Sequence, residues 1–134
     1  MTRVYLDYNS TTPVDPGVAQ AMMTALTEIP GNPSNTHWFG REAKEALERA
    51  RQQVADLIRA EPDAIFFTGS GTEADNWAIK GIVAASGHTK PHVICSPIEH
   101  DAILRTCEFL SSQGVAVSYV EVDETGLVDP GSIE

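Results

Sequence analysis

The chain has 134 residues, 42% hydrophobic and 21% charged, a balance that fits one ordinary globular domain and excludes disordered, collagenous and low-complexity chains. Nine Lys and Arg stand against nineteen Asp and Glu, and the resulting charge of −10 repels phosphate backbones and anionic lipid, so neither nucleic acid nor membrane is an expected partner. Only Cys95 and Cys107 are present, too few for a disulfide scaffold, which makes a reducing cytoplasm the expected compartment and a bridge between them unexpected.

Residues 1–7 reach an acid, Asp7, too early for a signal peptide, and no uncharged apolar run is long enough to cross a bilayer. Residues 4–6 form a short apolar run that leads into a polar loop over 7–13. Asp15-Pro16 then opens a helix: Asp accepts at the N-cap, and Pro fits the first turn, where no amide donor is needed. Val18, Ala21, Met22, Ala25 and Leu26 recur at helical spacing until the Pro30-Gly31-Asn32-Pro33 breaker. A longer helix is predicted over 38–59. Its apolar stripe runs from Phe39 through Ala43, Leu47 and Val54 to Ile58, opposite a charged face where Glu45 and Arg49 stand at pairing distance.

The period then changes. Residues 64–68, 92–96 and 115–120 read as short apolar strands, with helices over 72–85 and 101–113 between them. Alternation of this kind predicts an α/β fold with parallel strands buried on both faces, right-handed crossovers and three layers. The final residues, 128–134, read as the start of a new element.

Two loops follow predicted strands, where open α/β sheets bind ligands. The first is Gly69-Ser70-Gly71-Thr72-Glu73. Its two glycines uncover backbone amides at a helix N-terminus, and its hydroxyls add donors, so it reads equally as a phosphate cradle or as a plain tight turn capped by Thr72. It is not a Walker loop, since no Lys follows the glycines, and it does not fit Gly-x-Gly-x-x-Gly. The second is Ser96-Pro97-Ile98-Glu99-His100-Asp101. His100 has the chemistry to stack on a planar ligand or exchange a proton with it, and the alternative is a loop histidine near a helix start. His37, His88 and His92 lack the spacing of a metal site, and no metal is expected. Lys44, Lys80 and Lys90 occupy no position that marks a buried imine-forming amine.

Taken together, residues 5–13, Gly31-Asn32-Pro33-Ser34 with His37 and Phe39-Gly40, residues 67–81, and Glu99-His100 resemble, in order, the N-terminal part of the cysteine desulfurases, which belong to the class V aminotransferase family. The resemblance covers nearly the whole chain. It implies the fold type I large domain of pyridoxal-phosphate enzymes, here as a β-α-β-α-β portion, with residues 1–36 as arm, first helix and entrance loop and 37–134 as the first part of that domain. It assigns Gly71 and Thr72 to the phosphate of pyridoxal 5'-phosphate, and His100 to stacking on its ring and assisting proton transfer. Residues 9–12 and His37 would border the entrance, where Asn9 replaces a residue that is usually small.

The resemblance implies L-cysteine as substrate and L-alanine as product, with sulfur passed as a persulfide to an acceptor or scaffold protein for iron–sulfur cluster or thio-cofactor assembly. It also places the cofactor lysine, the acid at the ring nitrogen, the carboxylate-binding arginine and the persulfide cysteine beyond Glu134. These 134 residues are therefore expected to be inactive alone and to associate with the remaining portion or a second copy. A truncated or split non-catalytic interaction module and a selenocysteine lyase are the alternative readings.

Overall fold

The computed structural model describes residues 3–133. They fall into two compact units that divide between Phe66 and Phe67.

The first unit is helical. Helix α1 (Pro16–Glu28) begins as its sequence predicts: Asp15 Oδ1 accepts from the Gly17 amide at 2.7 Å, with Pro16 in the first turn. None of its residues is buried, and Met22, Met23 and Leu26 lie exposed. Helix α2 (Trp38–Ile58) buries Gly40, Ala43 and Ala55. The loop before it can close on its first turn because two positions lack side chains. A Cβ on Gly31 would lie 1.9 Å from the Phe39 carbonyl oxygen, and one on Gly40 would lie 2.3 Å from that of Asn35. At the far end Arg59 caps α2 in the left-handed region, with φ 57°.

Residues 64–68 do not form the predicted strand. Pro62–Ala64 is a 3-10 turn, and Ile65 leaves it in extended conformation with φ −97° and ψ 123°. An extended segment becomes a strand only with a hydrogen-bonding neighbour. Here the Ile65 carbonyl accepts from the Arg51 guanidinium instead. Arg51 also pairs with Glu48 on α2 at 3.3 Å, and among the described residues no ion pair joins Glu45 to Arg49.

The second unit is a βαβ arrangement with one extra helix. Helix α3 (Gly71–Ala85) packs on α4 (Asp101–Ser112), and α4 covers strands β1 (His92–Cys95) and β2 (Ala116–Tyr119). The strands pair in parallel, His92 opposite Ala116 and Cys95 opposite Tyr119. The parallel sheet and the α/β class follow the sequence, whereas burial on both faces does not. Of the eight strand residues only Cys95 is buried, and Ile94 is 45% exposed.

The core of this unit comprises Cys95, Ala102, Thr106, Cys107 and Leu110. Thr106 is satisfied by donating to the Ala102 carbonyl at 2.8 Å. Both cysteines are free thiols. Burial, followed by the neighbouring Cys107, pushes the Cys95 thiol up to about 11. After β2 a tight turn brings Val122 opposite Val128 in an antiparallel bridge. Asp123 Oδ1 accepts there from the Thr125 hydroxyl and from the Thr125 and Leu127 amides at 2.7–2.9 Å, and these bonds hold its carboxyl below the usual range. The closing residues form a short 3-10 turn, Pro130–Ile133.

Candidate functional site

The two loops singled out from sequence lie in the second unit, each at a helix N-terminus. Four amides at such a terminus have no partner within the helix, and the loop decides which of them stay open.

At α3 the cap is Ser70, not Thr72. Ser70 Oγ accepts from the Glu73 amide at 3.2 Å, and its carbonyl takes the Ala74 amide. The Glu73 carboxylate reaches back to the Gly69 amide at 2.7 Å, a variant of the capping box in which the acid bonds one residue before the cap. The Thr68 hydroxyl donates to the Ser70 carbonyl at 3.0 Å and fixes the approach to the turn. These bonds use the amides of Gly69, Glu73 and Ala74. Those of Gly71 and Thr72 have no partner among the described residues, and the Thr72 hydroxyl is likewise uncommitted. A Cβ built on Gly71 meets nothing within 4 Å. Two adjacent open amides, a hydroxyl and unfilled space thus meet at the positive end of a 15-residue helix, which is a donor set for a phosphate. The one charged side chain woven into the turn is Glu73, so the amides and the helix dipole must supply the attraction.

At α4 the cap is His100. Its Nδ1 accepts from the Ala102 amide at 3.1 Å, and its carbonyl takes the Ile103 and Leu104 amides. Sequence reasoning left this residue between a ligand-facing ring and a loop histidine at a helix start. The structure makes it a helix cap with an exposed ring. The loop comes directly off the C-terminal end of β1, the end where parallel sheets bind ligands. Among the described residues no hydrogen bond or ring contact joins His100 to Gly71 or Thr72, although their helices pack together.

Residues 9–12 and His37 belong to the first unit. The former sit in a turn closed by the Ser10 and Thr11 amides on the Asp7 carbonyl, with the Tyr5 hydroxyl donating to the Thr11 carbonyl at 3.1 Å. His37 caps α2, its Nδ1 accepting from the Gly40 amide at 3.3 Å. Of the lysines, Lys80 places its ammonium 4.5 Å from the Phe109 ring centre, and Lys44 and Lys90 are exposed. Sequence reasoning missed Ser70 and Glu73 as the pair that shapes the cradle. Their Ser-x-x-Glu spacing was the available signal. No group of His, Cys, Asp or Glu among the described residues is arranged to hold a metal, and no helix is long and apolar enough to cross a membrane.

Comparison with known proteins identifies the family. Residues 4–134 match the family described as Aminotransferase class-V. Among curated relatives, the cysteine desulfurase IscS of Methanosarcina thermophila is 46% identical over 130 residues, spanning 97% of this chain and 32% of its own. The cysteine desulfurase IscS of Pseudomonas aeruginosa strain UCBPP-PA14 is 48% identical over 134 residues, or 33% of its length. The chain therefore spans about a third of the curated relatives it matches. Among solved structures, a NifS-like protein superposes with a TM-score of 0.92 at 40% identity, over 98% of this chain and 36% of that one. A structure of SspA in complex with cysteine superposes with a TM-score of 0.88 at 37% identity, over 96% of this chain and 37% of that one. On the match over residues 4–134, the chain belongs to the class V aminotransferase family of pyridoxal-phosphate-dependent proteins.

Proposed function

We propose that the chain is the N-terminal part of a cysteine desulfurase, which converts L-cysteine to L-alanine and passes the sulfur on as a persulfide for iron–sulfur cluster or thio-cofactor assembly. The observation that carries this reading is the open pair of amides on Gly71 and Thr72 in a chain 46–48% identical to proteins named cysteine desulfurase IscS. The cysteine complex of the SspA neighbour supports L-cysteine as the substrate.

The residues present fit pyridoxal 5'-phosphate. When bound, the cofactor supplies an electron sink for carbanion chemistry. Gly71 and Thr72 hold its phosphate through their amides and the Thr72 hydroxyl, with Ser70 and Glu73 keeping the turn in shape. His100, whose ring is exposed, would stack on the cofactor ring and assist proton transfer.

Residues 1–36 act as arm and entrance, and 37–134 as the first part of the large domain. The protein works in the cytoplasm, delivers sulfur to an acceptor or scaffold protein, and assembles as a homo-oligomer. Its exposed apolar side chains, Trp77 and Ile82 among them, support burial against the remaining portion or a second copy. Residues 1–134 alone turn over no cysteine, because Lys80 lies on Phe109 and the other two lysines are in solvent.

Alanine formation from L-cysteine, measured on the full-length protein and on residues 1–134 with added cofactor, tests the proposal. Turnover by the former alone is expected. No turnover by either favours the non-catalytic module, and turnover restricted to L-selenocysteine favours a selenocysteine lyase.

A further inference from the structure

His100 is tied into the fold through one ring nitrogen. The Ala102 amide lies 3.1 Å from Nδ1. A backbone N–H can only donate, so Nδ1 is the acceptor and carries no proton. A neutral imidazole has one N–H, and here it must sit on Nε2. Nε2 has no partner among the described residues, and the side chain is exposed, so that N–H faces outward. Nothing else in the first turn replaces the ring. The Ile103 and Leu104 amides both turn to the His100 carbonyl, at 2.9 and 3.2 Å, and the Ala102 amide has Nδ1 as its acceptor.

We infer that the α4 cap selects the Nε2–H tautomer of His100, making this residue a hydrogen-bond donor at Nε2 toward its ligand while its Nδ1 lone pair is withheld from proton transfer. The identity of that ligand, an acceptor atom on the cofactor or substrate, rests on the proposed function; the tautomer does not. Two routes let the ring take up a proton. In one, Nδ1 gains it directly. In the other, the ring hydrogen first moves to Nδ1 and Nε2 then accepts. Both put a hydrogen on Nδ1 and so remove the acceptor used by Ala102. A hydrogen on Nδ1 and closure of the α4 N-terminus by the His100 ring therefore exclude one another. His37 is held by the same device, with Nδ1 accepting from the Gly40 amide, so its N–H is also on Nε2.

The test is nitrogen NMR of the full-length protein labelled with 15N-histidine, at a pH well above the histidine range, with the His100 signals assigned by their loss in His100→Asn. A pyrrole-type shift at Nε2 and a pyridine-type shift at Nδ1 are expected, and the reverse pattern overturns the inference. Hydrogen exchange at the Ala102 amide gives the second readout. It rises roughly fivefold in His100→Ala and returns to the wild-type rate in His100→Asn, whose Oδ1 restores the acceptor. Unchanged exchange in His100→Ala also overturns the inference. If the tautomer is as expected and the full-length protein forms no alanine, the functional proposal falls and the inference stands.

Discussion

Helices α3 and α4 pack on each other, yet their N-termini are finished in opposite ways. The α3 turn closes on itself through Ser70 and Glu73 and leaves two consecutive amides open, at Gly71 and Thr72. The α4 turn commits its second amide to the His100 ring. The same backbone resource, the unpaired donors of a helix start, is left open in one place and used to aim a side chain in the other. A terminus that is to hold an anion must be capped from outside its own first two amides. One that is to orient a ring can use them.

The largest effect that separates the two ends is expected from Gly71→Ala. A Cβ there meets no protein atom, so thermal stability should hold within about 0.5 kcal/mol, the usual range for a surface change. The methyl would fill the space in front of the open amides, and affinity for pyridoxal 5'-phosphate should fall about tenfold or more, the equivalent of one lost charge-assisted hydrogen bond. A spectrophotometric titration reads this directly. If Gly71→Ala binds as well as the wild type, α3 does not differ from α4 in the way described.

Ser70→Ala should cost about 1 kcal/mol in denaturant unfolding, because the Glu73 amide loses its acceptor, and should weaken cofactor binding as well. His100→Ala should cost a similar ~1 kcal/mol through α4 but leave the phosphate term untouched. The comparison thus predicts equal stability losses with unequal effects on phosphate recognition. Equal losses of both kinds would erase the distinction.

A smaller effect sharpens the α4 side, where β1 delivers Cys95 into the loop before His100. With the folded thiol raised to about 11, Cys95 is neutral at physiological pH and should resist iodoacetamide in the native protein while reacting readily in denaturant. The unfolded thiol ionises first as pH rises. The Cys95 contribution is therefore intact below the ordinary thiol range and declines as pH climbs toward 11. A Cys95→Ala variant should lack that decline in a stability series, whereas an unchanged decline would assign it to other groups.

Much of this was legible in the residues. Asp15-Pro16 set the start of α1, and helical spacing set α2, α3 and α4 to within a residue or two. The loops at Gly71 and His100 stood out because glycines, hydroxyls and a histidine followed apolar runs. The strand over 64–68 was misread for a physical reason: apolar β-branched and aromatic residues report a wish for burial, while a strand also needs a neighbour, and Arg51 took the Ile65 carbonyl. Burial on both sheet faces failed for a similar reason, since Ile94 and Tyr119 are only about half covered by the described residues. The cap at α3 was assigned to Thr72 because the Ser-x-x-Glu spacing of Ser70 and Glu73 was overlooked.

The central claim is that the N-terminus of α3 is a phosphate cradle made of backbone. It is tested most directly by comparing the dissociation constants of pyridoxal 5'-phosphate and phosphate-free pyridoxal on the full-length protein and its Thr72→Val and Gly71→Ala variants. The account predicts a clear preference for the phosphorylated form that shrinks several-fold in Thr72→Val and largely vanishes in Gly71→Ala. Equal affinity for the two compounds, or a preference that survives both substitutions, would contradict it.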